Sequence, residues 1–318
     1  MLRVDAAREP GARTARFTCE FSHFAPRAVR MSRLGILLLW LLHFLPLPLL
    51  APIGRGIGLL AYLLIGKRRR IARTNLRLCF PELGDRQRER LLRAHFQCFG
   101  RALVESGIAW WGSPQRLRRV VRIESQDHVE GLRGERFIAL VPHFVGIELE
   151  GLRMAMDYRG VAVYVRQKDS FVDAFLKRKR ERFAGTRMIL RREGVKAILR
   201  ALQGGRALQL SPDMDLGPKD AVFVPFFGVP AATVTVLSRM ARLMQLRIVP
   251  LVVRQLPGGR GYVARFYPAW EDYPGASVED DTRRMNAFLE ERIREMPEQY
   301  LWTHRRFKTR PAGERGVY

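Results

Sequence analysis

Among the proton-transfer and metal-binding side chains of this sequence, one histidine is distinguished by its surroundings. His143 lies in Val141-Pro-His-Phe-Val-Gly-Ile-Glu148, directly after the apolar run Phe137-Ile-Ala-Leu-Val141. An imidazole followed five residues later by a carboxylate is a pattern for general-base chemistry. The neutral ring takes a proton from an attacking hydroxyl, while the carboxylate fixes the tautomer and stabilises the imidazolium. On a regular helix, residues five apart point about 140° away from each other. His143 and Glu148 therefore meet only if the histidine sits in a turn before a helix that carries the glutamate, and Pro142 and Gly146 suit such a turn. The other reading is a satisfied histidine at a strand end. No G-x-S-x-G accompanies the pair, and Ser170, Ser211 and Ser238 have no motif context, so the attacking hydroxyl would come from a substrate.

Other chemistries are disfavoured. The three cysteines, Cys19, Cys79 and Cys98, form no C-x-x-C pair, which argues against a disulfide framework or a zinc site and for a reducing compartment. Gly54-Arg-Gly-Ile-Gly58 follows no strand, so it does not read as a dinucleotide loop. We expect neither a metal nor an organic cofactor.

The elements that must position His143 can be read coarsely. Phe137–Val141, Val161–Val165, Ala207–Leu210 and Arg247–Val253 are short apolar runs that read as buried strands. Helical spacing occupies 86–111, where it is amphipathic with a basic face, and stretches near 146–157, 171–184, 194–203, 233–245 and 280–295. Strands alternating with helices predict an α/β layered sheet. The runs 247–255 and 261–269, joined through Pro257-Gly258-Gly259, predict a hairpin on it.

Before this domain, Leu34–Pro52 holds 19 residues without a formal charge, then Arg55 alone, then another uncharged stretch to Gly66. About 20 apolar residues span a bilayer's hydrocarbon core. Pro46, Pro48 and Pro52 are expected to break a buried core helix here, so we read the segment as a membrane anchor, either a kinked span or a re-entrant hairpin. Lys67-Arg68-Arg69-Arg70, Arg73 and Arg77 follow it as a juxtamembrane basic cluster, with Arg27, Arg30 and Arg33 at the other end. Residues 1–30 have no periodicity and read as an extension ahead of a start at Met31. The organisation expected is thus 1–30 extension, 31–66 anchor and 67–318 one catalytic domain.

With 56 Lys+Arg against 31 Asp+Glu, the chain of 318 residues carries a formal charge of +25 at pH 7. Such an excess implies an anionic partner: nucleic acid, an anionic bilayer, or an acidic substrate or carrier protein. Nucleic acid is disfavoured, because the basic residues adjoin a Leu-rich anchor and no nucleic-acid-binding signature is present.

Three longer segments carry a resemblance. RRRIARTNLRLCFPEL (68–83), SPDMDLGPKDAVFVPFFGVPAAT (211–233) and PEQYLWTHRRFKTRP (297–311), together with HFVGIE, resemble the late acyltransferases of lipid A biosynthesis, the lauroyl/myristoyl acyltransferase family. The similarity runs from about Met31 to Tyr318. It implies a glycerolipid-acyltransferase type of α/β sheet with an N-terminal hydrophobic membrane anchor, at the inner membrane with the catalytic domain on the cytoplasmic face. It also implies acyl transfer from acyl carrier protein to a hydroxyl on an acyl chain of a Kdo-linked lipid A precursor. By the same resemblance His143 is the general base and Glu148 its partner, with Arg180, Arg182 and Asp213 as substrate-binding residues. Lys179 stands where the family usually has Gly, and Met214 where Gln or His is more usual.

Each assignment has an alternative. Lys177–Arg206 holds 11 basic and two acidic residues, so Arg180 could belong to a general basic patch. Asp213 could be a turn or cap residue. Phe223, Phe226 and Phe227 could line an acyl pocket, rest on lipid or pack in the core. His304, among Arg305, Arg306 and Lys308, reads as surface recognition of anionic head groups. Alternatives for the whole chain are a same-fold acyltransferase acting on another glycolipid or an ornithine lipid, with acyl-CoA as a further donor option, and a non-enzymatic basic membrane or nucleic-acid-binding protein.

Overall fold

The computed structural model describes residues 33–183 and 185–318. The expected extension, with Cys19 and the start at Met31, lies outside the described residues. After two apolar helices, α1 (Arg33–Leu42) and α2 (Leu47–Leu64), come α3 (Gly66–Cys79), the long α4 (Asp85–Trp111) and α5 (Pro114–Val120). The rest alternates: β1 (Val121–Glu124), α6 (Asp127–Glu130), β2 (Ile138–Leu140), α7 (Ile147–Asp157), β3 (Gly160–Tyr164), α8 (Ser170–Arg180), β4 (Thr186–Leu190), α9 (Gly194–Ala201) and β5 (Ala207–Leu210). A hairpin β6 (Ala221–Phe226) and β7 (Val229–Val234) leads to α10 (Val236–Met244), β8 (Ile248–Gln255), β9 (Tyr262–Phe266) and α11 (Val278–Glu295).

Seven strands form one sheet in the order β1-β9-β8-β2-β5-β3-β4, and only the β8–β9 pair is antiparallel. The four strands read from apolar runs, β2, β3, β5 and β8, lie inside this sheet, as expected for strands without a polar face. The expected hairpin is β8–β9, with Gln255 opposite Tyr262. The two outermost strands, β1 and β4, were not expected. They carry exposed Arg122 and Arg187 among their apolar residues, which interrupts the run that marks a buried strand.

The proline expectation needs correction. The chain breaks between Leu42 and Leu47, but α2 then runs through Pro52. Pro48 sits in its first turn, where an N–H would have no intrahelical partner, so only Pro52 removes an internal hydrogen bond. At 18 residues, α2 is about 27 Å long and is long and apolar enough to cross a bilayer.

One face of α2 is buried, through Leu50, Ala51, Gly54, Gly58 and Tyr62, and the opposite face exposes Leu49, Ile53, Ile57, Leu60, Leu63 and Leu64. The buried face lies on α4 with the backbones almost touching. A Cβ on Gly100 would fall 2.3 Å from the Gly54 carbonyl oxygen and 2.4 Å from Gly58 N, and a Cβ on Gly58 would fall 2.0 Å from the Phe96 oxygen. No residue larger than glycine fits without separating the helices.

This packing predicts an inversion of the usual helix propensity. Glycine to alanine inside a helix ordinarily gains about 0.5–1 kcal/mol. Gly100→Ala should instead cost about 1–3 kcal/mol, read as a lowered thermal midpoint of detergent-purified protein. Gly56→Ala, where an added Cβ meets nothing within 4 Å, should raise the midpoint. Shifts of the same sign in both variants would contradict the close-packed seam.

Candidate active site

Parallel neighbours keep their residues in step. In the β2–β5 pair Leu140 stands opposite Leu210, and Val141 N–H donates to the Leu210 carbonyl at 2.9 Å. Three residues past each register partner come His143 and Asp213. The two meet: His143 Nδ1 lies 2.6 Å from Asp213 Oδ1, and the His143 backbone N–H donates to Oδ2 at 2.9 Å. Both residues are buried. Burial alone would raise the Asp213 pKa, but the His143 charge and hydrogen bonds outweigh it and hold the carboxyl below its ordinary range. A carboxylate at Nδ1 keeps the ring proton there and leaves the basic lone pair on Nε2.

The Nδ1 partner is thus Asp213, not Glu148 as expected. Tight turns, with Phe144 N–H on the Pro142 carbonyl and Ile147 N–H on the Phe144 carbonyl, bring the chain into α7, and Glu148 occupies the first turn of that helix. Its carboxylate accepts from Trp110 Nε1 at 2.8 Å, near the end of α4, and from Arg180 Nη2 at 2.8 Å and Nε at 3.1 Å, in the last turn of α8. Burial would raise the Glu148 pKa; the Arg180 charge with the Arg180 and Trp110 hydrogen bonds reverses this and keeps it ionised. Arg180 is therefore an ordered, ion-paired arginine with a side chain 32% exposed, not a member of a loose basic patch.

Arg182 plays another part. Its guanidinium donates to the Ala109 and Gly112 carbonyls, each at 2.7 Å, and so caps the C-terminus of α4. The structure thus places Arg182, expected to bind substrate, on the main-chain carbonyls at the end of α4. Glu150, two residues after Glu148 on α7, contrasts with it. It is fully buried with no hydrogen-bond partner for Oε2, and burial pushes its pKa up to about 8.

The three segments that carried the resemblance converge here. From 68–83, Asn75 Nδ2 donates to the Trp302 and His304 carbonyls at 2.7 Å each, and Arg68 Nη1 to the Thr303 carbonyl at 3.1 Å. From 211–233, the Asp215 carboxylate accepts from Thr309 N at 2.6 Å and Thr309 Oγ1 at 2.9 Å. From 297–311, Leu301 N–H donates to the His143 carbonyl at 3.1 Å, and Phe144 bridges Tyr300. His304 is buried rather than at the surface, and its Nε2 accepts from Asp215 N–H at 3.0 Å. Arg306 is also buried, donating to the Ala232 carbonyl at 2.9 Å and Thr233 Oγ1 at 2.7 Å. Phe226 and Phe227 pack in the core against Phe80, Tyr300, Trp302 and Phe307, whereas Phe223 is exposed.

The N-terminal helices reach the same place. Arg116 of α5 donates to the His43 and Leu45 carbonyls of the α1–α2 turn. The His43 ring lies 5.8 Å from Trp111, which packs against Phe175 and, edge to face, against Trp110, the Glu148 partner. Arg33 lies over Phe171 of α8 at 5.2 Å. An apolar helical hairpin therefore adjoins a buried His–Asp pair and a Glu–Arg pair.

This places the polar cluster at the C-terminal edge of a mostly parallel sheet, where open α/β enzymes build their sites. The model of the bacterial lipid A biosynthesis acyltransferases matches residues 17–309. The chain belongs to that family and is an acyltransferase of lipid A biosynthesis. It is 36% identical over 283 residues to a lipid A biosynthesis lauroyltransferase of Escherichia coli K12, covering 88% of this chain and 92% of that one. It is 33% identical over 309 residues to the palmitoleoyltransferase of the same strain, covering 95% and 98%, and 30% identical over 271 residues to its myristoyltransferase, covering 84% and 82%. Among solved structures, the 1-acyl-sn-glycerophosphate acyltransferase of Thermotoga maritima aligns over 84% of this chain and 99% of its own with a TM-score of 0.37 and 15% identity.

Two outcomes are expected. Asp213→Asn removes the carboxylate that fixes the His143 tautomer, so turnover should fall by about 10²–10⁴, measured as initial rate, and Asp213→Asn added to His143→Ala should cost nothing more. For Glu150, a folded pKa of about 8 against an ordinary 4.5 means its stabilising neutral form is fully present below 4.5 and is lost as pH rises to about 8. Glu150→Gln cannot ionise, so its gain in thermal midpoint over the parent should be larger at pH 8.5 than at pH 5. A pH-independent difference would refute the buried neutral carboxyl.

Proposed function

We propose that this enzyme transfers a fatty acyl chain from acyl carrier protein to a hydroxyl on an acyl chain of a Kdo-linked lipid A precursor, at the cytoplasmic face of the inner membrane. The observation that carries the mechanism is the Asp213-held imidazole of His143. His143 Nε2 removes the proton of the acceptor hydroxyl as its oxygen bonds to the thioester carbonyl carbon. The tetrahedral oxyanion collapses, the C–S bond breaks, and the thiolate takes the proton back from the imidazolium. Asp213 stabilises the positive ring, in place of the Glu148 partner expected from the sequence. Glu148 instead orients Arg180, which supplies fixed positive charge for the anionic acceptor or the developing oxyanion.

Two features support a lipid acceptor. The exposed Leu and Ile face of α2 offers a surface for lipid beside the site, and Lys67, Arg70, Arg73 and Arg77 of α3 are exposed just beyond it. The names of the relatives supply the donor classes to test.

His143→Ala should lose nearly all transfer from lauroyl, myristoyl and palmitoleoyl thioesters of acyl carrier protein, with folding and membrane partition retained. Near-normal turnover in that variant would sink the mechanism. Deleting the gene should remove one secondary acyl chain from lipid A in mass spectra. An unchanged lipid A profile with an altered ornithine-lipid or glycolipid profile would move the acceptor elsewhere.

A further inference from the structure

A second imidazole shares the site and has the opposite tautomer. Because Asp215 N–H donates to His304 Nε2 at 3.0 Å, that nitrogen carries the lone pair and the ring proton is on Nδ1. Burial, together with the charges of His143 and Arg306, pushes the His304 pKa down to about 3, so the ring is neutral wherever the enzyme works. Its Nδ1 makes no hydrogen bond to any described residue, and it is absent from the polar atoms sealed away without a partner.

Its position is fixed relative to His143. The two rings hang on residues 213 and 215 of one segment, whose Cα atoms are at most about 7 Å apart, and Leu301, three residues before His304, donates to the His143 carbonyl at 3.1 Å. The ring cannot swing freely. The His304 carbonyl accepts from Asn75 at 2.7 Å, and Asp215 is tied by Thr309 at 2.6 Å and by Gly217 N–H at 2.9 Å.

We propose that His304 is a catalytic hydrogen-bond donor, directing Nδ1–H at the thioester carbonyl oxygen as it becomes the tetrahedral oxyanion. The proposal rests on the reaction above. The labour divides by tautomer: His143, with its proton on the Asp213 side, presents a lone pair to the acceptor hydroxyl, and His304, with its lone pair on the Asp215 side, presents a proton to the oxyanion. A neutral N–H held by the fold suits that task, since it polarises the carbonyl without reorganising and without competing for the hydroxyl proton.

Two isosteres separate this role from a structural one. His304→Gln keeps an acceptor near the Nε2 position for Asp215 N–H but has no donor at Nδ1. His304→Asn keeps an N–H near Nδ1 and loses the Asp215 hydrogen bond. With acyl carrier protein thioesters and purified lipid acceptor, His304→Gln should lower kcat by about 10²–10³, leave KM for the thioester within about threefold, and leave both the thermal midpoint and the acid limb of the pH–rate profile in place. His304→Asn should melt lower yet, assayed below its midpoint, turn over at least tenfold faster than His304→Gln. Near-parental kcat in His304→Gln, or His304→Asn no faster than it, overturns the proposal. If His304→Gln does not fold, His304→Asn decides alone: a kcat within about tenfold of the parent supports the donor, and any larger loss overturns it. Loss of turnover in His143→Ala with His304→Gln intact removes only this inference, whereas turnover in His143→Ala removes the reaction on which it stands.

Discussion

The parallel register of β2 and β5 sets the geometry of the polar cluster around His143. Once Leu140 faces Leu210, two strands leaving the sheet in the same direction deliver His143 and Asp213 to the same height, three residues further on. A parallel pair needs a crossover, and here about seventy residues separate the partners, so the His143–Asp213 geometry depends on β3, β4 and their helices folding between them. The backbone N–H of His143 also bonds Asp213, so the carboxylate fixes the loop as well as the ring. Under the proposed mechanism, orientation of this kind removes the reorganisation that a solvent-exposed histidine would need at every turnover.

That dependence explains which parts of the sequence were readable. The interior strands showed as apolar runs because both their faces are covered, and the β8–β9 hairpin showed through Pro257-Gly258-Gly259. The outer strands β1 and β4 escaped because arginines break their runs. The choice of Asp213 over Glu148 could not follow from spacing along the chain: it depends on which strand lies beside β2, a long-range fact. The resemblance had marked Asp213, but as a substrate contact. His304 misled in a different way. A histidine beside Arg305, Arg306 and Lys308 has the composition of a solvated surface, yet Arg306 is buried, donating hydrogen bonds to Thr233 Oγ1 and the Ala232 carbonyl, and the histidine goes in with it.

Much of the positive charge also has a different meaning in three dimensions. Arg68, Arg116, Arg182 and Arg306 bind main-chain carbonyls, work that a guanidinium does well because it presents several donors in a fixed plane. Exposed Arg159, Arg187 and Arg247, with half-buried Arg206, stand where β3, β4, β8 and β5 begin, at the edge of the sheet opposite His143. The charge excess that suggested one anionic surface is therefore divided between internal staples, the opposite sheet edge and the rim beside the apolar hairpin.

The hairpin's attachment constrains how the site can meet lipid. Because Gly54, Gly58 and Gly100 bring α2 and α4 into backbone contact, α2 cannot enter a bilayer independently of the domain. Arg55 on α2 is exposed, and Arg93 of α4 lies over Tyr62 at 5.5 Å with its side chain at the surface. A pose with α2 along the bilayer normal would draw these guanidinium groups toward hydrocarbon, whereas a pose with α2 near the interface lets them snorkel to the head groups while Leu49, Ile53, Ile57 and Leu60 remain in the acyl region. Under the proposed reading, the interfacial pose also sets the His43–Trp111–Phe175 ring cluster beside the lipid surface and one ring away from Glu148. An acceptor chain leaving the bilayer would then follow an apolar path to the Arg180 and His143 groups, with the rigid glycine seam setting its distance.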